Sequence, residues 1–288
     1  MNGLDTRHIV NAFGRAAGSY AKHAALQRDV EDVLLERLEY VRVAPSRVLD
    51  VGSGPGRGTS ALRKRFSSAQ VIALDIAMPM LSQIRPGWLR PVMRVSADAR
   101  ELPFADASID VLYSSLCLQW IEDLPALFNE FRRVLRPGAY VAFSTFGPDS
   151  LYELRAAWSA ADDTPHVNGF LDIARVGDAL VAAGFRDPVL DVEHFTLAYD
   201  DAFGLMRDLK GIGATNANVR RTRGLTGKAR LQRMVAAYEQ FRTDGKLPAT
   251  YEIIFAHAWA PDASQPRRGE AGEIASFSVD QLRGSRRR

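Results

Sequence analysis

The sequence has very few cysteines and no long apolar run. Cys117 is the single cysteine among 288 residues, which excludes an internal disulfide and any cysteine-based metal cluster. No apolar stretch reaches the roughly 18 residues that a membrane-spanning helix needs, and residues 1–13 lack the apolar core of a signal peptide. These absences favour a cytoplasmic protein in a reducing compartment.

An excess of charge is also missing from most of the chain. The formal net charge is +3, and residues 267–288, with six arginines and three acids, account for all of it. Residues 207–233 form a local exception, because they hold eight lysines and arginines against Asp208 alone. That segment contains no Phe, Tyr or Trp, so it lacks the aromatic side chains on which bases stack.

The most informative stretch is VLDVGSGPGRG, residues 48–58. Its first four residues predict a buried strand, and a helix pattern begins at about residue 59. Between them, glycines at 52, 54 and 56 allow a tight turn whose backbone can approach a ligand closely. Strand, glycine turn and helix together indicate the first half of a nucleotide-type site. We expect Asp50, inside the strand, to accept hydrogen bonds from backbone amides of the turn.

The rest of the pattern alternates between strands and helices. A helix over residues 124–135 is predicted to end at Pro137-Gly138. Further strands are predicted at residues 71–75, 92–96, 109–114, 139–145, 188–194 and 251–259. This alternation predicts an α/β fold, a doubly wound and mostly parallel seven-stranded sheet of the Rossmann-like type.

The domain organisation follows from the same pattern. Residues 1–44 are predicted to form N-terminal cap helices across the mouth of the sheet. Residues 45–194 and 249–260 are predicted to form the Rossmann-like domain, and residues 195–248 a basic helical lid inserted before the last strand. Residues 261–288 are predicted to be a disordered, arginine-rich tail.

Five pieces in this order resemble the class I S-adenosylmethionine-dependent methyltransferases. They are LDVGSGPG (49–56), Asp75 at a strand end, ADARELPF (97–104), IDVLYSSLCLQW (109–120) and LRPGAYVAFSTF (135–146). The resemblance implies S-adenosylmethionine as methyl donor and S-adenosylhomocysteine as product. It implies that Asp75 holds the ribose hydroxyls, Asp98 the adenine amino group, and residues 114–116 the sulfonium side. The implied cofactor-binding set is Asp50, Gly52, Gly54, Gly56, Asp75, Asp98, Ala99, Ser114 and Leu116.

Pieces outside the common core are similar to the malonyl-[acyl-carrier protein] O-methyltransferase family of biotin synthesis. They are FGRAAGSYAKHAALQ (13–27), SLCLQW (115–120) and LMRDLKGIGATNAN (205–218). This resemblance implies methyl esterification of the malonyl carboxylate on acyl-carrier protein or on coenzyme A, and leaves the choice of carrier open. A carboxylate is already ionised at neutral pH, so the reaction requires neither a general base nor a nucleophilic side chain, and no metal-ligand cluster stands out in the sequence.

The acceptor carboxylate still needs an anchor. The candidates are Arg155, whose guanidinium fork can hold a carboxylate at two points, and Tyr20. The alternatives are a solvated helix arginine and a tyrosine packed in the core. For the acidic carrier protein, the predicted docking residues are Arg207, Lys210, Arg220, Arg221 and Arg223. The alternatives are a nucleic-acid surface or a solvated face. We expect a monomer that binds neither nucleic acid nor membrane.

Two other functions compete with this hypothesis. One is methylation of a quinone precursor or of a small acid such as aconitate, although a quinone enzyme is expected to have an apolar lid and this one is charged. The other is a non-catalytic S-adenosylmethionine-binding module. Intact LDVGSGPG, Asp75 and Asp98 argue for cofactor binding, but they do not separate the module from an enzyme.

Overall fold

A computed structural model gives the fold. It describes residues 3–85, 87, 91–221, 224, 226–262, 267–269 and 272–274. Over these residues, every helix is too short or too polar to cross a membrane.

One seven-stranded sheet forms the centre of the protein. Its strands are β1 (Arg47–Val51), β2 (Gln70–Asp75), β3 (Met93–Ser96), β4 (Ile109–Ser115), β5 (Leu135–Phe146), β6 (Arg186–Tyr199) and β7 (Leu247–Trp259). The strand order is β3-β2-β1-β4-β5-β7-β6, and only β7 runs antiparallel to its two neighbours. The predicted mostly parallel, doubly wound sheet is confirmed. The carboxyl ends of β1, β2 and β4 therefore meet at one edge.

Helices cover both faces of the sheet. They are α1 (Thr6–Ala16), α2 (Tyr20–His23), α3 (Ala25–Glu39), α4 (Arg57–Arg65), α5 (Met78–Leu81), α6 (Leu124–Val134), α7 (Tyr152–Ser159), α8 (Ile173–Ala182), α9 (Ala202–Gly211) and α10 (Lys228–Tyr238). Two short 3-10 turns lie at Leu118–Trp120 and Glu239–Phe241. The sequence pattern did not predict α5.

The two faces carry separate apolar cores because successive residues of a strand point to opposite sides. Val48 of β1 packs in one core with the buried stripe of α3, which consists of Val30, Leu34 and Leu38 at helical spacing. Its neighbour Leu49 packs in the opposite core with α6 and α8. Because both side chains are fully buried, the two cores hold β1 and its glycine turn in a fixed place.

The boundary between α6 and β5 differs from the prediction. Asp123 caps α6 by accepting a hydrogen bond from the backbone N–H of Ala126 at 2.9 Å, as expected for a helix start. The helix ends at Val134 and β5 begins at the next residue. Pro137-Gly138 therefore lies inside β5, where the register with β4 shifts, because a bulge accommodates a proline that cannot donate to the ladder.

The inserted segment is shorter than predicted. β6 and β7 pair continuously as far as Tyr199 and Leu247, so the insertion comprises residues 200–246 and not 195–248. The outer part of β6, FTLAY (195–199), alternates between half-buried and exposed residues. This period of two is typical of a half-buried strand, and the prediction missed it. The insertion contains α9 and α10.

Part of the predicted tail is described. Strands β8 (Arg267–Gly269) and β9 (Gly272–Ile274) pair antiparallel. Residues 263–266, 270, 271 and 275–288 lie outside the described residues, so the prediction of a disordered tail stays a prediction.

Candidate active site

The glycine turn after β1 is shaped by close packing on one side and open space on the other. Gly52 has φ +72°, and a Cβ there would lie 2.5 Å from the Cβ and Sγ atoms of Cys117. Gly54 has φ +52°, and a Cβ there would meet nothing within 4 Å. Left-handed backbone and close approach make glycine necessary at the first position. The second position leaves its backbone open toward a ligand.

Asp75, at the end of β2, fixes this turn. Its carboxylate oxygens accept hydrogen bonds from the backbone N–H of Gly54 at 2.9 Å and of Ala77 at 2.8 Å. Burial raises the pKa of Asp75, while these two backbone hydrogen bonds act to lower it. Each carboxylate oxygen keeps a lone pair for a further donor, so the group can hold the turn and a ligand hydroxyl together.

A cavity of about 770 Å³, named here the glycine cleft, opens beside the turn. Its lining includes Gly52, Gly54, Asp75, Asp98, Ala99, Arg100, Ser115, Leu116, Cys117 and Trp120, with Thr6, Ile9, Phe13 and Tyr20 from the N-terminal helices. Arg100 Nη2 lies 2.5 Å from Asp98 Oδ2, and this contact lowers the pKa of Asp98. Asp98 is therefore an ionised acceptor at neutral pH.

Leu116 carries backbone strain at this cleft. Its φ is +49°, a conformation that is uncommon for a residue with a side chain. Its N–H donates to the backbone oxygen of Ser144 on β5 at 3.0 Å, which holds the distorted end of β4 in place. Such strain is typical of functional positions.

A smaller hollow beside the glycine turn is lined by two acids and by two arginines, Arg28 and Arg57. Glu31 and Asp50 line it together with Ser53, whose buried Oγ has no hydrogen-bond partner. Asp50 accepts a hydrogen bond from Thr59 Oγ1 at 2.5 Å. The expectation that Asp50 accepts from backbone amides of the turn is therefore wrong, because α4 brings the Thr59 hydroxyl closer. Burial raises the pKa of Asp50 to about 8.

Replacing Asp50 by Asn is expected to flatten the pH dependence of stability. The pKa of Asp50 is about 8 in the folded protein against the ordinary 3.8, so between these values the folded state holds a proton that the unfolded chain releases. The wild-type free energy of unfolding then falls as pH rises, by about 2–3 kcal/mol from mildly acidic to mildly alkaline solution. Urea unfolding of both proteins across this range measures the difference. Equal pH slopes would contradict the assignment.

A second cavity, of about 920 Å³, is named here the insert cavity. The insertion supplies part of its wall through Asp208, Leu209, Ile212, Ala214, Thr215 and Asn216. It shares Phe13, Tyr20, Leu116 and Trp120 with the glycine cleft. The rings of Phe13 and Trp120 meet edge to face at 5.3 Å. The two cavities are therefore neighbours across one largely aromatic boundary.

Two histidines in the wall of the insert cavity each lie within hydrogen-bond distance of an aspartate. His23 Nδ1 lies 2.7 Å from Asp208 Oδ1, which ties α2 to α9. His166 stacks on Trp158 at 3.7 Å between ring centroids, and its Nε2 lies 2.9 Å from Asp162 Oδ1. Among the residues described for this cavity, none is a lysine or an arginine.

Comparison with known proteins identifies the family. The sequence model described as "Methyltransferase domain" matches residues 49–143. The chain is 52% identical, over 98% of its length and 97% of the relative's, to malonyl-[acyl-carrier protein] O-methyltransferase of Xylella fastidiosa strain M23. Against the protein of that name from Methylovorus sp. strain MP688 it is 49% identical over 90% of both chains. The chain belongs to the malonyl-[acyl-carrier protein] O-methyltransferase family.

Solved structures of much lower identity share the fold. The YcgJ protein from Bacillus subtilis is 14% identical with a TM-score of 0.58, over 82% of this chain and all of its own. Phosphoethanolamine N-methyltransferase 2 from Haemonchus contortus, in complex with S-adenosyl-L-methionine, is 19% identical with a TM-score of 0.53. That match covers 86% of this chain and 57% of the Haemonchus protein.

In this member of the malonyl-[acyl-carrier protein] O-methyltransferase family, several residues expected at the site lie apart from it. Ser114 is fully buried and donates to the backbone oxygen of Val51 at 2.8 Å, so Ser115 lines the glycine cleft in its place. Gly56 is absent from the described lining of the cleft; a Cβ there would lie 2.6 Å from Ile84. Close packing against Ile84 therefore explains why residue 56 is a glycine.

The two expected anchors have different surroundings. Tyr20 lines the glycine cleft, the smaller hollow beside the glycine turn and the insert cavity, so it lies where all three meet. Arg155 is not among the residues described as lining these cavities. Its Nη2 donates to the backbone oxygen of Ser150 at 2.8 Å, and its buried Nε has no partner. The structure thus gives no support to Arg155 as the anchor.

The expected docking residues differ in their exposure to solvent. Arg207, with a side chain 70% exposed, Lys210 and Arg220 are exposed. Arg221 is only 15% exposed and forms an ion pair with Asp5 at 2.9 Å, which fastens the insertion to the N-terminal segment. Arg223 lies outside the described residues. The ion pair with Asp5 therefore gives Arg221 a structural role.

Proposed function

We propose that this protein transfers the methyl group of S-adenosylmethionine to the free carboxylate of a malonyl group carried on acyl-carrier protein. This methyl esterification is an early step of biotin synthesis. The observation that carries the proposal is the 52% identity to a malonyl-[acyl-carrier protein] O-methyltransferase over 98% of the chain. That span includes the insertion, which lines the insert cavity, so the likeness extends to the part of the wall that faces an acceptor.

We assign the glycine cleft to the methyl donor. In this proposal Asp75 accepts from the ribose hydroxyls, Asp98 from the adenine amino group, and Gly52 and Gly54 lie along the methionine part. Ala99 and Leu116 contribute contact surface.

The insert cavity then receives the acceptor. The malonyl carboxylate approaches the sulfonium carbon at the boundary that Phe13, Tyr20, Leu116 and Trp120 share. Its oxygen attacks the methyl carbon as the bond from that carbon to sulfur breaks, so the carboxylate becomes a neutral methyl ester and the sulfonium a neutral thioether. No proton moves, because the carboxylate is already ionised. Positioning and exclusion of water can supply about 7–11 kcal/mol of such a barrier.

Tyr20 is proposed as the hydrogen-bond donor at this boundary. Burial raises the pKa of Tyr20 well above its usual value, so the hydroxyl stays protonated at neutral pH. A neutral donor can orient a carboxylate without neutralising its charge. That suits a group that must also act as the nucleophile.

The exposed basic residues Arg207, Lys210 and Arg220 are proposed to dock the acidic carrier protein. A concentrated positive surface accelerates encounter with an acidic partner and loses that advantage at high salt. The insertion therefore combines two roles in this proposal: its inner side shapes the insert cavity and its outer side meets the carrier.

Charge reversal separates the carrier protein from coenzyme A. Arg207→Glu combined with Lys210→Glu is expected to lower kcat/KM for malonyl-carrier protein about tenfold at low salt, with a smaller effect on malonyl-coenzyme A. Initial rates with labelled S-adenosylmethionine measure both. The matched control is Arg42→Glu with Lys64→Glu, the same charge change at exposed positions outside the insertion. Equal losses in the two double variants would overturn the docking surface.

A further inference from the structure

Asn168 has an unusual environment in the loop between α7 and α8. The residue is only 8% exposed, yet its Oδ1 atom has no hydrogen-bond partner. A buried polar atom without a partner is costly to a folded protein, and most buried polar atoms are satisfied. Another buried asparagine of this protein follows the rule: Asn218, 3% exposed, accepts from the backbone N–H of Arg220 at 2.8 Å.

Asn168 is one of the residues that line the insert cavity. It lies in the wall between that cavity and an outer recess lined by Gln119, Phe170 and Arg175, among others. It does not belong to the boundary shared with the glycine cleft. An acceptor whose carboxylate lies at that boundary would therefore meet Asn168 with its other end, away from the reacting atoms.

We propose that Asn168 is a specificity-determining residue that hydrogen-bonds the thioester end of the acceptor and not its carboxylate. The inference rests on the proposed function. An amide can accept from an N–H through Oδ1 or donate to a carbonyl through Nδ2, and the two orientations differ by a half-turn of the side chain. A thioester-linked acyl arm carries amide N–H groups that can donate to Oδ1 as well as carbonyls that can accept from Nδ2, whereas free malonate at neutral pH offers acceptors only and leaves Oδ1 without a donor. Asn168 thus favours an arm-linked acceptor over the free diacid.

The unpartnered Oδ1 of Asn168 predicts an experimental result that a structural role would not give. If Asn168 served the fold, removing its amide would break contacts and lower the melting temperature. If it awaits a substrate, an apolar residue of similar size removes an unsatisfied buried group. The melting temperature is then unchanged or higher while activity falls, the usual conflict between stability and function at a binding site.

Asn168→Leu tests this directly. We expect kcat/KM for malonyl-carrier protein to fall about tenfold or more, the usual effect of losing one substrate hydrogen bond, while the Kd of S-adenosylhomocysteine stays within about twofold of wild type. The melting temperature without acceptor is expected to equal or exceed that of wild type. Asn218→Leu is the matched control, because its amide is partnered and its loss is expected to lower the melting temperature.

Three other outcomes would refute either the proposed function or the inference about Asn168. A wild-type protein that methylates no malonyl thioester refutes the proposed function, and this inference with it. An active wild type with an equally active Asn168→Leu variant refutes the inference alone. An Asn168→Leu variant with both lower activity and a lower melting temperature would show that Asn168 stabilises the fold, as Asn218 is expected to do. That result would also overturn the inference.

Discussion

Asp75→Asn is expected to weaken S-adenosylmethionine binding about 100-fold and to reduce methyl transfer in proportion at limiting cofactor. Both carboxylate oxygens accept backbone N–H groups, from Gly54 and Ala77. In the variant, an amide NH2 must face one of these donors, so the glycine turn loses a restraint. The ligand also loses a charged acceptor. Hydrogen bonds to charged groups contribute about 1.5–3 kcal/mol each, which accounts for the size of the effect.

Isothermal calorimetry with S-adenosylhomocysteine measures the change. Asp110→Asn is the matched control, since Asp110 also accepts two backbone N–H groups, from Ser46 and Arg47 at 2.8 Å each. Asp110 lies at the opposite end of the sheet from the glycine turn, near the start of β4. If the two variants bound the product equally well, the assignment of the glycine cleft to the methyl donor would be wrong.

Tyr20→Phe is expected to lower kcat/KM for the malonyl acceptor about 10–100-fold with little change in cofactor affinity. Tyr20 lies where the glycine cleft meets the insert cavity, and Phe13 and Trp120 line both cavities with it. A hydrogen bond to a carboxylate is strong in such a water-poor place. The phenylalanine ring keeps the packing, so the melting temperature should stay nearly constant.

Single-turnover rates at saturating cofactor isolate this effect from binding. Tyr40→Phe, at a residue 82% exposed, controls for loss of a hydroxyl elsewhere. An unchanged rate in Tyr20→Phe would remove Tyr20 from the site. It would then leave His23 and His166 of the insert cavity as candidates for anchoring the carboxylate.

The sequence predicted the parts of the fold that rest on local, repeated signals. Apolar runs indicated β1 and β2, and the glycines between β1 and α4 indicated the turn. The prediction was wrong about where β6 ends. Residues 195–199 continue β6 and pair with Leu247 and its neighbours in β7, and their alternating sequence FTLAY is a strand pattern that the prediction missed.

The sequence also predicted some residues of the candidate site and not others. Asp75 and Asp98 follow strand ends at fixed spacing from the glycine turn, so their place at the cleft follows from topology. The direction of the Arg155 side chain depends on the Ser150 carbonyl beside it, which no sequence pattern announces. Other residues come from separate segments, and only the folded chain brings them to one cavity: His23, His166, Asn168 and Asp208.

The most direct test of the central claim is the fate of a labelled methyl group. Wild-type protein is incubated with methyl-labelled S-adenosylmethionine and, in parallel, with malonyl-, succinyl- or acetyl-carrier protein. Label is expected on malonyl-carrier protein, and mild base should release it as it releases a methyl ester. Less label is expected on the succinyl form, and none on the acetyl form, which has no free carboxylate. Label that survives base, or equal labelling of the acetyl form, would contradict carboxyl methylation. No transfer to any of the three, with S-adenosylhomocysteine still bound, would contradict malonyl esterification itself.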